Sequence, residues 1–274
     1  MTVKEPVTGH QPWAVAVQLR PGRLTFAGRL GSAHTHAHAA VQLLLAVRGE
    51  VLLADTGGHL APVRAAVIPA GAPHTIRADH ARGIMVYLDP AGRPARALAA
   101  RVPTAVADDP GGQVAAWQAA ALAAVPVVDG TAGDLSCAAD LEAGIAAGNR
   151  AVAALAGRDD PVTPPNNGPL HCALAVMPEL VAGGGPVRLE TVAAQVGLSA
   201  SRLRHLFTEQ LGLPFTACVR WARLQTAMTV VRDGGTLTTA AHAAGFADSA
   251  HLTRVFRAMF GLAPSTATRH LHWH

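Results

Sequence analysis

A two-helix unit written twice near the end of the chain constrains its fold more than any other feature. In the first copy, Leu189 to Thr208, apolar residues at helical spacing break off at Gly197-Leu198-Ser199 and resume beyond it. Gly197 can take the left-handed conformation that stops one helix, and the Ser199 hydroxyl can accept from the first free amides of the next. In the second helix of the unit Leu203, Leu206 and Phe207 form an apolar stripe, and Ser201, Arg204, His205 and Thr208 occupy the opposite face. The pattern returns from Thr239 to Phe260 around Gly245, with Leu252, Val255, Phe256 and Met259 as the stripe and Ser249, Ala250, His251, Thr253 and Arg254 outward. A helix with an anchored apolar back and a short polar, basic front fits a DNA major groove. Between the copies, residues 215–232 read as one helix about 27 Å long at ~1.5 Å per residue, close to one duplex turn of ~34 Å. Both groove helices are therefore expected to meet one face of a duplex.

The charge distribution agrees. Residues 1–167 carry thirteen basic and thirteen acidic side chains, whereas 168–274 carry nine arginines and five acids, so the whole net charge of +4 lies in the second part. That asymmetry suggests a polyanionic partner for one half of the chain. Ser201, Arg204 and His205 are the candidate base readers of the first unit, and the five outward residues of the second join them. Arg223 and Arg257 are expected at phosphates or in solvent.

The remainder of the 274 residues reads differently. From Ala14 to Leu88 short apolar runs alternate with Pro21-Gly22, Arg48-Gly49, Gly57-Gly58 and Pro69-Ala70-Gly71, the spacing of a sandwich or small barrel. Gln113 to Ala156 is alanine-rich with helical periodicity, and two helices broken near Pro126 and Gly130 are expected there. Their apolar stripes either cover the barrel or pair two chains as a homodimer. Arg158 to Pro169 is proline-rich with little to bury, which gives a linker at 158–168 between a domain at 1–157 and a helical one at 169–274. No apolar run approaches the ~20 residues of a spanning helix, so a soluble, cytoplasmic protein without membrane partner is expected. Cys137, Cys172 and Cys218 fit neither a disulfide framework nor a thiolate zinc site and are expected as small buried residues.

In the first half, His34-Thr-His36-Ala-His38 places three imidazoles two residues apart, and on a strand they would share a face with Gln42. Pro69-Ala-Gly71-Ala-Pro-His74 supplies a fourth imidazole at a strand start. His34 and His80 are expected at a rim, and His270 to His274 as a frayed end.

The residues from Leu170 onward resemble the DNA-binding domain of the AraC/XylS family of bacterial transcription regulators. The resemblance rests on Gly-Leu-Ser followed by Leu-x-x-Leu-Phe, on Trp221-Ala-Arg-Leu, and on Ala241-x-x-Ala-Gly-Phe-x-Asp-x-x-His-Leu-Thr-Arg-x-Phe-Arg-x-x-Phe-Gly-x-x-Pro. Arg188 departs from it, standing where many members have a Ser or Thr cap, as does the tail Pro264-Ser-Thr-Ala-Thr-Arg269. The spacings His36 to Gly49 and Pro69 to His74 resemble the two motifs of the cupin superfamily, a small double-sheet barrel, with Gln42 where a Glu is usual and Ala78 where an Asn is usual. Together these imply an α+β two-domain protein: an N-terminal cupin-like β-barrel with flanking helices and a C-terminal all-α domain with two helix-turn-helix units. The implied function is sequence-specific binding of double-stranded DNA under control of a small-molecule effector, with RNA polymerase as a further partner if it activates. In metal-bearing cupins the ligands would correspond to His36, His38, Gln42 and His74. The preferred expectation for these four is an effector pocket or a hydrogen-bonded brace, with a divalent transition metal as the alternative. A metal-dependent cupin enzyme, a dioxygenase or isomerase, is the competing function, but it leaves the duplicated unit without purpose.

Overall fold

The computed structural model describes residues 15–103, 112–129, 134–157, 168–260, 264 and 271–273; most of the expected linker lies outside them. Nine strands fill the first part: β1 Val15–Arg20, β2 Arg23–Arg29, β3 Ala33–His36, β4 Val41–Arg48, β5 Leu52–Ala54, β6 Leu60–Pro62, β7 Ala65–Ile68, β8 His74–Arg77 and β9 Arg82–Leu88. They form a six-stranded sheet in the order β10-β1-β2-β9-β4-β7, completed by β10 (Leu271–Trp273), and a four-stranded sheet in the order β3-β8-β5-β6. The ladders run within each sheet, and side chains of both pack in one core that includes Ala33, Leu44, Leu53, Ala66 and Ile76. This is the double-sheet form expected of the N-terminal half.

Central strand β4 explains its own unbroken apolar run. Val41, Leu43 and Leu45 face outward into a second core built with helices. Leu44 and Ala46 face the smaller sheet. Burial on both faces removes the alternation that a half-exposed strand would show. The helices on the outer face are α1 (Arg93–Ala99), α2 (Gln113–Ala121), α3 (Val125–Asp129) and α4 (Ala138–Ala156). Leu141, Ile145, Val152 and Leu155 of α4 lie in the core with Ile84 and Val86, so the stripe that could have paired two chains is covered by the chain's own sheet. Close approach is bought by two glycines: a Cβ on Gly144 would come within 2.6 Å of Leu135 Cδ2, and one on Gly148 within 2.8 Å of Ile84 Cγ2.

Beyond the linker come α5 (Pro169–Ala182), α6 (Leu189–Gln195), α7 (Ala200–Leu211), α8 (Phe215–Arg232), α9 (Leu237–Ala243) and α10 (Ser249–Phe260). They share a core with Val17, Leu24 and Tyr87 of the larger sheet. The two parts of the chain therefore meet through apolar side chains.

Several expectations are corrected. Residues 271–273 are not a frayed end: they pair in parallel with β1, Val15 opposite Leu271, supplying partners to what would otherwise be an edge strand. Pro126 begins a short helix, α3, rather than breaking one, as suits a residue without an amide proton. Helix α1 went unread because seven residues with only Ala95 and Leu98 buried show no period. Of the cysteines only Cys218 is buried, where burial pushes its thiol up to about 12. Cys137 precedes α4 and Cys172 lies on α5, both exposed.

Gly148→Val is expected to destabilise the protein by about 1–3 kcal/mol through overpacking against the sheet. Chemical denaturation should show this, with Arg150→Ala on the exposed face of α4 nearly neutral.

Candidate functional site

The histidine cluster is assembled from both sheets. Strands β3 and β8 are antiparallel, with His36 directly opposite His74. The chain leaves β3 at His36, and Gly71 N donates to His38 O at 2.8 Å, which pins the following loop against the Pro69 turn. Gln42 arrives from β4 of the larger sheet, opposite Tyr87 of β9. His36, His38, Gln42 and His74 are at most 5% exposed. The shared strand face expected for His34, His36 and His38 is corrected, because a register shift separates Ala33 from His36 and leaves His34 exposed. His34 and His80 lie outside the cluster, His80 against Arg29.

Proton positions follow from the partners. The Nδ1 atoms of His36, His38 and His74 lie 2.7, 2.7 and 2.9 Å from the carbonyl oxygens of His34, Ala40 and Ala72. A carbonyl only accepts, so Nδ1 of His36 and of His74 carries the proton and each of these neutral rings offers an Nε2 lone pair. Burial lowers all three imidazoles, His38 to about 4, and their mutual repulsion adds to this for His38 and His74. The Nε2 atoms of His36 and His74 have no hydrogen-bond partner. His38 has an oxygen within hydrogen-bonding distance of each ring nitrogen, Ala40 O at Nδ1 and Gln42 Oε1 2.8 Å from Nε2.

Donor atoms from the three imidazoles lie within 4.8 Å of one another. Three anchored rings presenting Nε2, with an amide oxygen beside them, make a donor set that suits a divalent transition ion. The rings lie 4.2 to 5.9 Å apart between centroids, a spacing that suits an ion and not an organic molecule among them. An apolar cavity lies apart from the cluster on the far side of Tyr87, between the sheet and α8 and α10. Tyr87, which the sequence does not single out, lies between the two: its ring packs on His38 at 5.3 Å and on Phe260 at 5.2 Å. Its being the only tyrosine was the one signal available.

In the helical part Gly197 and Gly245 have φ of +70° and +72°, and the Ser199 hydroxyl accepts from Arg202 N at 3.2 Å. Arg188, at the start of α6, provides no side-chain cap. The second unit has a cap that the sequence reading did not single out, Asp248, whose carboxylate accepts from His251 N. Ser201, Arg204 and His205 are exposed on α7, and Ala250 and Arg254 are exposed on α10. The other three are half-buried, Ser249, His251 and Thr253. His205 pairs with Glu209 at 3.3 Å, Thr253 donates back to Ser249 O, and the His251 ring packs on Phe246 at 5.3 Å. Arg223 is half-buried against Gly245 rather than out in solvent, whereas Arg257 is exposed.

Comparison with known proteins follows these features. A family profile described as a helix-turn-helix domain matches residues 192–270. ToxT from Vibrio cholerae O395 superposes with a TM-score of 0.52 at 12% identity, covering 92% of this chain and 98% of that one. Apo ToxT of a point variant from Vibrio cholerae strain SCE256 gives 0.53 at 12% identity with the same coverage. A regulator with an AraC-type DNA-binding domain from Chromobacterium violaceum aligns at 22% identity over 37% of this chain and 89% of its own, with a TM-score of 0.35. No curated protein matches the sequence.

Because the histidines are held neutral, their native affinity for protons lies below that of the unfolded chain. Between pH 6.5 and about 4 for His38 the unfolded state binds the extra proton, so stability is full above pH 6.5 and falls as the pH is lowered. In chelator-treated protein this contributes up to ~1.4 kcal/mol per pH unit for each such histidine. Thermal unfolding from pH 7.5 to 5 should show a falling Tm, with a shallower slope in His38→Gln. Residues 192–270 match a helix-turn-helix domain, and the chain has the two-domain fold of ToxT.

Proposed function

We propose that this chain is a sequence-specific DNA-binding transcription regulator whose N-terminal domain receives the signal. The observation that carries the reading is the pair of glycine-turned, capped helical units within the matched domain. Each presents an exposed arginine, Arg204 on α7 and Arg254 on α10, beside small polar residues. The guanidinium fork suits the O6 and N7 edge of a guanine, and Ser201 and Ala250 leave room for close approach. Arg257 serves the phosphate backbone, which fixes register without reading sequence. His205, His251 and Thr253 each have a partner within the domain, so they act chiefly by shaping the reading surface.

For the histidine cluster, the two buried, partnerless Nε2 atoms of His36 and His74, gathered with His38 within 4.8 Å, favour a bound divalent transition metal over a hydrogen-bonded brace. His36, His38 and His74 would ligate through Nε2 and Gln42 through Oε1, and the ion would supply the positive charge those lone pairs face. The burial of all four closes the coordination sphere to a bulky substrate, which favours sensing or structural support over turnover. A homodimer would have to use surfaces other than the α4 stripe.

Salt titration of the full chain on DNA from its own upstream region tests the DNA-binding reading. Affinity should fall steeply with salt as condensed counterions are released, and absence of binding at low salt would sink it. Arg204→Ala should cost about 1–3 kcal/mol on the preferred site and relax preference at one or two base pairs, while Arg257→Ala weakens all sequences alike. Elemental analysis of protein purified without chelator should find near-stoichiometric transition metal, lost in His36→Ala combined with His38→Ala. Little metal in the parent protein would return the cluster to a brace.

A further inference from the structure

The two helix-turn-helix units turn on the same backbone motif. In the first, Gly197 N donates to Ala194 O at 3.3 Å and Leu198 N to Ala193 O at 2.9 Å. In the second, Gly245 N donates to His242 O at 3.0 Å and Phe246 N to Ala241 O at 2.9 Å. With both glycines left-handed, each pair of bonds is the stop that ends a helix at a glycine. The surroundings of the two turns differ. A Cβ on Gly197 would meet nothing within 4 Å, whereas one on Gly245 would lie 3.5 to 3.6 Å from Nε, Cζ and Nη2 of Arg223. Near-equal distances to three atoms of one planar group put the Gly245 turn over the face of the guanidinium and not at its edge.

Arg223 belongs to α8, the helix that joins the units. Its Nε is buried without a hydrogen-bond partner, so that donor does not hold the side chain in place. The contact is of a flat, weakly hydrated cation with a turn that carries no side chain, which a guanidinium makes and a compact, strongly hydrated ammonium does not. An arginine serving the phosphate backbone stands clear of the domain, as Arg257 does; Arg223 is half-buried.

Helix α8 touches α7 of the first unit and both α9 and α10 of the second. Apolar packing alone fixes that contact without fixing an angle. A planar group lodged under the turn between α9 and α10 removes the freedom of the second unit to rock about α8. Successive base pairs are displaced by about 3.4 Å along a duplex and rotated by roughly 35° around it, so one added or missing base pair between half-sites would require α10 to be re-aimed.

We propose that Arg223 is a positioning residue that fixes the second groove helix relative to the first, and thereby sets the half-site spacing the protein accepts. It acts through the Gly245 turn and reads no base. The inference rests on the regulator reading above.

The test uses the full chain and a preferred duplex that it selects from a random pool, with versions carrying one base pair more or one fewer between the half-sites. The parent should bind the selected spacing at least tenfold more tightly than either altered one. Arg223→Lys keeps the charge without the planar face, and Arg223→Gln removes the charge; each is first checked for cooperative unfolding. In either variant that folds, preference for the selected spacing should fall below threefold, while the salt slope and the base preference due to Arg204 stay as in the parent. A phosphate contact gives a different pattern: Arg223→Gln lowers the salt slope by about 0.9 and weakens all three spacings alike, and Arg223→Lys restores both. That pattern, or spacing preference retained in a folded variant, overturns the proposal. Equal binding of the parent to all three spacings overturns it without any variant. Loss of cooperative unfolding in both variants overturns it too, since the side chain would then hold the domain together and not aim it. Absence of DNA binding by the parent at low salt counts against the regulator reading instead.

Discussion

On the six-stranded sheet, Leu44 and Ala46 of β4 and Ala66 and Ile68 of β7 are covered by the four-stranded sheet. Val17 and Leu24 of β1 and β2 are left to find other apolar partners, which they find in α8 and α10. Burying this apolar surface at roughly 25 cal/mol per Å² is what holds the helical half to the first. That coupling is non-directional, so it fixes contact without fixing a unique angle. An apolar cavity lies at this contact, between the sheet and α8 and α10.

Tyr87 stands where three environments meet. Its ring packs on His38, Phe260 is against its other flank, and its hydroxyl lies in reach of both Gln42 and Met85. Burial raises its phenol above the ordinary range, so it stays a neutral donor. Gln42, directly opposite it across the sheet, has its oxygen turned to His38 and its nitrogen to Tyr87. The amide thus bridges the histidine cluster and Tyr87.

Much of this was legible in the sequence, for reasons that differ along the chain. The helix-turn-helix units were readable because their signals are local: Gly197, Gly245 and Ser199 act on their immediate neighbours, and the stripe of α7 follows a 3.6-residue period. The gathering of His36, His38, Gln42 and His74 was readable as motif spacing. The tautomers of His36 and His74 were not, because these depend on carbonyls of His34 and Ala72 brought close by a register shift and a pinned loop. The interdomain cavity was not readable at all. Val17, Leu24 and Phe256 look like ordinary core residues in any window, and only the tertiary contact between sheet and helix makes them a wall. Strand β10 was hidden for the same reason, since its partner β1 lies about 250 residues away and parallel pairing of termini leaves no local pattern.

These placements also bear on the proposed regulation, in which a signal received by the first half changes the second. The polar cluster sits within the sandwich, where Trp117, His74 and the small sheet hold it rigidly. The apolar contact with α10 is looser, with Phe256 and Val255 only half-buried, and loosely packed interfaces are where small free-energy changes redistribute conformations. A rigid receptor beside a yielding interface needs only Tyr87, touching both, to transmit a difference in occupancy. The first unit is less exposed to that influence, because α7 turns its apolar stripe into a core of its own domain with Phe207 stacked edge-on to Phe215 at 5.4 Å. Of the two groove helices, then, α10 is the one whose placement the N-terminal half can govern.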